Sequence, residues 1–306
     1  MSVGVDTPQY YYHIQNHFPE YWIFKEEGFR LLSNIVVEYT HKPQIVFIIC
    51  ALISNMLIIL RLWDFKDYSD YSFVILLYLL IYYSNSMNIM RQYVAVALIF
   101  FGTRYISKKK YLIFLVFLVI AFFFHRSSFL AIFYLLYDIW KNLSFKKKIV
   151  LSAPMIVIMF LGINYINVFF SKDIDSYSSQ SVDNINLTYL YRVSIFIFAN
   201  ILESTYKTKN DTDKNVYLYK ERMFSSISLY CFIGFIFSAL SMFFAFAGRT
   251  GLYFIIFEFV FWGFLIKNSK YRIIYAVLIL IYSFYEFSLV FFRNSEGLFP
   301  YYLQWY

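Results

Sequence analysis

An arginine opens one apolar run of this chain and a histidine-arginine pair closes the next. Arg91 stands in SMNIMRQY and His125-Arg126 in AFFFHRSSF, with Lys108, Lys109 and Lys110 between the two runs. If each run crosses a bilayer, the lysine turn lies on one side, and Arg91 and His125 return to the other, where they can share a site. Holding an ionisable group in or beside hydrocarbon costs a few kcal/mol, so such residues are functional candidates by default. The Arg91 guanidinium stays charged near neutrality, and its fork can clamp a phosphate or carboxylate with two parallel hydrogen bonds. An imidazole can accept a proton near neutral pH, which suits a general base. His125 is the histidine outside the N-terminal tail; the others are His13, His17 and His41.

Further residues are expected on the same side. Arg249 lies in FAFAGRTGLYF, where Gly248 and Gly251 permit a tight turn that would leave its side chain near the membrane surface. Arg91, Arg126, Arg192 and Arg249 together could form a cationic ring facing an anionic substrate at headgroup depth. Among acids, Glu258 falls mid-span, where a structural pairing with an arginine is expected, and Glu286 falls nearer the outer end of the last run. Glu286 and Asp6 are alternative bases. Asp173-Ile-Asp175 resembles a metal-binding pair, but two aspartates in a Ser/Asn-rich loop arise readily by chance, so neither a metal nor a cofactor is expected. Tyrosines crowd PQYYYH, with Tyr10, and FPYYLQWY, with Tyr301; interface anchoring accounts for them, and aromatic faces with hydroxyl tips also stack on sugar rings.

These residues need elements that position them, and composition says which kind. Of 306 residues, 60% are hydrophobic and only 15% charged, against about 25% charged in soluble domains. Apolar runs recur at about 45–62, 71–84, 87–103, 111–124, 128–140, 149–170, 189–204, 223–245, 251–267 and 272–291. Runs near 20 residues match a bilayer core, so the expected fold is an all-α, polytopic membrane bundle of about ten helices. It would comprise an outer N-terminal segment, 1–43, a membrane domain, 44–292, and an outer tail, 293–306. Stretch 111–140 is expected to cross twice, turning at His125-Arg126-Ser127-Ser128, because lysine clusters flank it on both sides. With those clusters inside, roughly two-thirds of the Lys and Arg fall in inner loops. The net charge of +8 is thereby an orientation signal, and nucleic acid is not expected. Cys50 and Cys231 lie inside apolar runs and give no disulfide framework.

In the N-terminal segment, Phe29, Leu32, Ile35, Val36 and Tyr39 share a helical stripe, which predicts an amphipathic helix on the membrane surface, ended by Pro43. A tail of this length would have to cross the membrane unaided, so a further span is expected upstream of this start.

The order of VGVDTPQYY, EEGFRLL, NIMRQYVAVALIFFG, a lysine patch, AFFFHRSSFLAIFYLL, GRTGLYF and a terminal FPYY resembles the EpsG-like family of bacterial exopolysaccharide proteins, related to Wzy-type polysaccharide polymerases. The resemblance implies a glycosyltransferase of the bacterial cytoplasmic membrane, with an outward-facing site, that joins polyprenyl-diphosphate-linked oligosaccharides. The bilayer is its second partner, with other assembly proteins, such as a flippase or chain-length regulator, alongside. Arg91, His125 and Arg249 are then the expected catalytic residues. Asp6, Tyr10, Gln92, Arg126, Arg192, Tyr253, Glu286 and Tyr301 are the expected substrate contacts. Two other readings stay open. A flippase for the same lipid-linked sugar would want cations along the depth of a cavity, and an acyltransferase modifying the polysaccharide normally draws its donor from the cytoplasm.

Overall fold

The computed structural model describes residues 7–16, 26–136, 147, 187–205, 214–240 and 245–292. Among the described residues every regular element is helical. In chain order they are α1 (Thr7–Gln15), α2 (Glu27–Thr40), α3 (Gln44–Trp63), α4 (Tyr71–Leu77), a π-helical turn (Tyr78–Tyr82), α5 (Tyr83–Asn88), α6 (Met90–Ser107) and α7 (Tyr111–Phe124). A 3-10 helix (Arg126–Leu136) follows, then α8 (Leu187–Thr205), α9 (Lys214–Leu240), α10 (Ala245–Ile255), α11 (Glu258–Asn268) and α12 (Arg272–Phe292). The chain divides into two compact units. The first holds Met1–Asp64, Ile75–Phe129 and Ser283–Tyr306, and the second Phe65–Val74 and Leu130–Tyr282.

Among the described residues, four stretches are long and apolar enough to cross a membrane: Gln44–Trp63, Met223–Leu240, Ala247–Asn268 and Arg272–Phe292. Shorter apolar helices run over Tyr111–Phe124, Arg126–Leu135 and Leu190–Leu202. Expected run 149–170 lies outside the described residues. Run 71–84 is divided by the π-helical turn, which shifts the backbone from one hydrogen-bonding pattern to another. The stretch 111–140 is not one continuous helix. His125 leaves the α-helical path at φ −157°, ψ 117°, and the chain resumes as a 3-10 helix.

In the first unit, α6 is the central element. Every residue from Met90 to Phe100 is buried, and α3 and α7 pack against it. Each neighbour turns one stripe inward. On α3 the stripe is Val46, Cys50, Ser54 and Ile58, and on α7 it is Phe114, Leu118 and Ala121, at the three- and four-residue steps of a helix face. The opposite faces are bare and apolar: Leu52 and Met56 on α3, Leu112, Val116 and Val119 on α7. Exposed aliphatic stripes of this extent suit lipid rather than water. α12 presents a comparable stripe, Ile273, Val277, Ile281 and Phe284.

Two sequence expectations are corrected here. The α2 stripe is not the expected one. Phe29, Ser33 and Val36 face the protein, while Leu31, Ile35 and Tyr39 are exposed, so α2 has two apolar faces and one covers the bundle. The GRTG segment is not a turn, because it lies within α10. There Gly251 serves packing: a Cβ on it would stand 2.9 Å from Phe237 Cβ and 3.0 Å from the Gly234 carbonyl of α9.

Candidate active site

Arg91 lies in the first turn of α6 and is 4% exposed. A guanidinium buried so deeply needs compensation, and it comes from the N-terminal segment. Nη1 donates to Glu26 Oε2, and Nε donates to the Tyr10 hydroxyl at 3.0 Å. The Arg91 Cζ lies over the Tyr10 ring at 5.2 Å and near the Phe29 ring at 5.9 Å, and those two rings meet edge to face. Charge and aromatic faces thus hold the same cation.

The second oxygen of Glu26 serves another partner. Oε1 lies 3.2 Å from His125 Nδ1, within ion-pair range. One carboxylate therefore bridges the arginine and the histidine that sequence alternation places on a common side. Burial acts on the Glu26 carboxyl and would raise it. The Arg91 guanidinium and the His125 contact outweigh that and hold it at about 2, against an ordinary 4.5. With a neutral imidazole the cluster carries one positive and one negative charge, and a proton taken up by the imidazole would face the same carboxylate.

Local structure explains how these groups meet. α6 and α7 run antiparallel about the Lys108–Lys110 turn, so the start of one lies beside the end of the other. The α7 helix keeps its bond from His125 N–H to the Ala121 carbonyl at 2.8 Å and then breaks, which sets the imidazole at the helix end. Glu26 occupies the cap position of α2 in extended backbone. The α2 helix approaches α7 at Gly28, where a Cβ would stand 2.9 Å from both Phe123 Cβ and the Phe123 carbonyl oxygen. That close approach, two residues before His125, brings Glu26 within reach of the ring.

The expected residues divide as follows. Tyr10, Arg91 and His125 meet. Gln92, beside Arg91, is 3% exposed, and Arg126 is half-buried next to His125. Glu286 is half-buried on α12. Asp6, Tyr301 and the Asp173–Asp175 pair lie outside the described residues. In the second unit, Arg249 is exposed on α10, and Tyr253 is fully buried, its carbonyl accepting the Tyr134 hydroxyl at 2.6 Å. Arg192 is paired. Its Nε donates to Glu258 Oε1 at 2.9 Å, Nη2 to Oε2, and Trp262 Nε1 also donates to Oε1 at 3.3 Å. The Arg192 Cζ also stands over Phe235 and Tyr282. This is the pairing expected of Glu258, and it uses the fork that an open cationic ring would have needed.

Sequence reading missed Glu26. A signal was present: Glu26, Phe29, Ser33 and Val36 follow the helical step, so the carboxylate continues the buried stripe of α2. A second arginine pair sits at the other end of α6. Asp64 accepts from Arg61 at 2.9 Å and Arg104 at 2.8 Å, and Arg61 Nε reaches Thr103 Oγ1 at 3.2 Å. Among the described residues no group of His, Cys, Asp and Glu could hold a metal ion.

Comparison with known proteins gives one match. The family model described as the EpsG family covers residues 1–303. Neither the curated proteins nor the solved structures contain a match. The family match takes in the N-terminal segment that supplies Tyr10 and Glu26 as well as the helices that supply Arg91 and His125. With four described stretches long and apolar enough to cross a membrane and a family match over nearly its whole length, the chain is a membrane protein and belongs to the EpsG family.

Proposed function

We propose that this chain is a repeat-unit polymerase, a glycosyltransferase of the bacterial cytoplasmic membrane that joins polyprenyl-diphosphate-linked oligosaccharides at the outer face. Family membership supports a role in exopolysaccharide biosynthesis. The observation that carries the finer reading is the buried Arg91–Glu26–His125 cluster at the common end of α6 and α7. In the proposed reaction a sugar hydroxyl of one unit attacks the anomeric carbon of a second, and a glycosidic C–O bond forms. The bond from that carbon to the diphosphate breaks, and its electron pair leaves with the phosphate. His125 takes the hydroxyl proton. Cations near the membrane surface, Arg91 and Arg126 among them, stabilise charge as it builds on the departing diphosphate. For Arg91 to do so directly, the diphosphate must share the guanidinium with Glu26, which keeps its own contact.

The test is polymer analysis in cells lacking the gene. Loss of polymer with single repeat units accumulating on the lipid, restored by the wild-type chain and not by His125→Gln at equal abundance, supports a polymerase. Accumulation confined to the inner leaflet would assign a flippase instead. Unchanged polymer would reject both.

A further inference from the structure

We propose that Glu26 is a positioning residue, whose carboxylate holds His125 through Nδ1 and so presents Nε2 as the proton acceptor. The inference rests on the polymerase reading for its substrate, and on the cluster alone for its geometry.

The two ring nitrogens of His125 have different surroundings. Nδ1 is buried and lies 3.2 Å from Glu26 Oε1, at ion-pair distance but off the line of a hydrogen bond, while the imidazole side chain keeps 18% exposure. The accessible part of the ring is therefore away from Nδ1. A carboxylate accepts and does not donate, so a neutral imidazole facing it places its proton on Nδ1 and leaves the lone pair on Nε2. A partner of this kind fixes both tautomer and ring orientation, as in triads where a buried carboxylate orients a histidine base. Glu26 is itself fixed, because its other oxygen is bound by Arg91, which in turn is held by Tyr10. The carboxylate stays ionised through the cycle: burial opposes this, and Arg91 with His125 prevails. The sugar hydroxyl proton passes to Nε2 and later to water, and Glu26 neither gains nor loses one.

The charged and titratable groups around the ring come from several elements. Glu26, preceding α2, stands against the ring; Arg91, opening α6, binds Glu26 and the Tyr10 hydroxyl of α1; and Arg126 follows His125 directly. Glu26 is the anion in contact with the ring. Removing its charge takes away stabilisation of the imidazolium, so the acid limb of the rate profile should move to lower pH.

The full chain, reconstituted in vesicles with lipid-linked repeat units, would be followed from pH 5 to 9 as wild type, Glu26→Gln and Glu26→Asp. For Glu26→Gln the expected result is elongation slowed roughly 10- to 100-fold without weaker donor binding, and an acid limb lowered by on the order of one pH unit. For Glu26→Asp the limb should stay at the wild-type pH. An unmoved limb in Glu26→Gln overturns the proposal. Should that variant not accumulate, 15N spectra of histidine-labelled wild-type protein, assigned by loss of one signal in His125→Gln, decide instead. Protonated Nδ1 with bare Nε2 at neutral pH is expected, and the opposite tautomer overturns the proposal. The spectra stand even if no elongation is detected in wild type, an outcome that would refute the polymerase reading alone.

Discussion

Gly28→Ala is the mildest substitution that tests whether the α2 to α7 contact builds the site. Two effects of opposite sign compete. In an ordinary helix the change is stabilising, because alanine exceeds glycine in helix propensity by about 1 kcal/mol. Here the new Cβ would lie 2.9 Å from Phe123 Cβ and its carbonyl oxygen and 3.0 Å from its carbonyl carbon, whereas ordinary contact begins near 3.4 Å. Two of those atoms are backbone within α7 and cannot swing aside. The start of α2 must retreat by about 0.5–1 Å, and overpacking of this kind costs about 1–3 kcal/mol. That exceeds the propensity gain, so a net loss of stability is expected. The same retreat stretches the 3.2 Å contact between Glu26 and His125 towards the limit of an ion pair. Displacement of a catalytic group by about 1 Å can lower a rate by roughly 100-fold. Thermal unfolding in detergent and elongation in vesicles would be measured together. A more stable Gly28→Ala protein with wild-type elongation would show that α2 does not sit against α7 in this way.

Four further outcomes follow. Arg91→Lys should lose most polymer formation, because an ammonium cannot serve Glu26 and Tyr10 in the guanidinium geometry. Arg91→Ala should also reduce abundance, since removing one partner of a buried ion pair costs about 3–5 kcal/mol; normal polymer at normal protein level from the alanine variant removes Arg91 from the site. Glu26 is held at about 2 against 4.5, so its contribution to docking of the N-terminal segment is whole above pH 4.5 and fades as pH falls towards 2, by roughly 3 kcal/mol in all. Limited proteolysis across that window should show the segment released, and unchanged protection down to pH 2.5 would contradict the pairing. Arg192→Ala should destabilise the second unit by about 3–5 kcal/mol, while Arg192→Leu with Glu258→Leu should recover much of the loss, because the pair itself adds little over packed hydrocarbon; equal losses would mean that the charges themselves are required. Cysteine at Asn16 should react with an impermeant thiol reagent in intact cells and cysteine at Lys109 should not. Both positions are exposed and both native cysteines buried, so the reverse labelling would invert the proposed orientation.

The meeting of Arg91 with His125 was legible because two helices joined by a short lysine turn run back along each other, so the start of one returns beside the end of the next. The π-helical turn and the break at His125 were only half visible, since hydropathy records length and not hydrogen-bond register. Glu26 was hidden for a different reason. Its partner stands 65 positions away, and no periodicity links them. An acid in a polar tail looks solvated until the arginine that needs it is known to be buried. Attention to apolar positions alone drew the α2 stripe through Ile35 and Tyr39, which are exposed, and passed over Ser33, which is buried. The GRTG segment misled because glycine serves two purposes, and here it admits a neighbouring helix rather than reversing the chain.

The bridge between Glu26 and Arg91 also orders the birth of the protein. Glu26 leaves the ribosome 65 residues ahead of Arg91, a delay of roughly 3–13 s at ordinary rates of synthesis, and His125 follows later still. Through that interval the N-terminal segment has no Arg91 counter-charge to dock on and must wait, hydrated. Its docking then becomes a report that α6 and α7 have both been made and have paired. A nascent chain in which α6 and α7 failed to pair would leave Glu26 stranded and the segment open to proteases, so the charges of the proposed site double as an inspection of helix pairing.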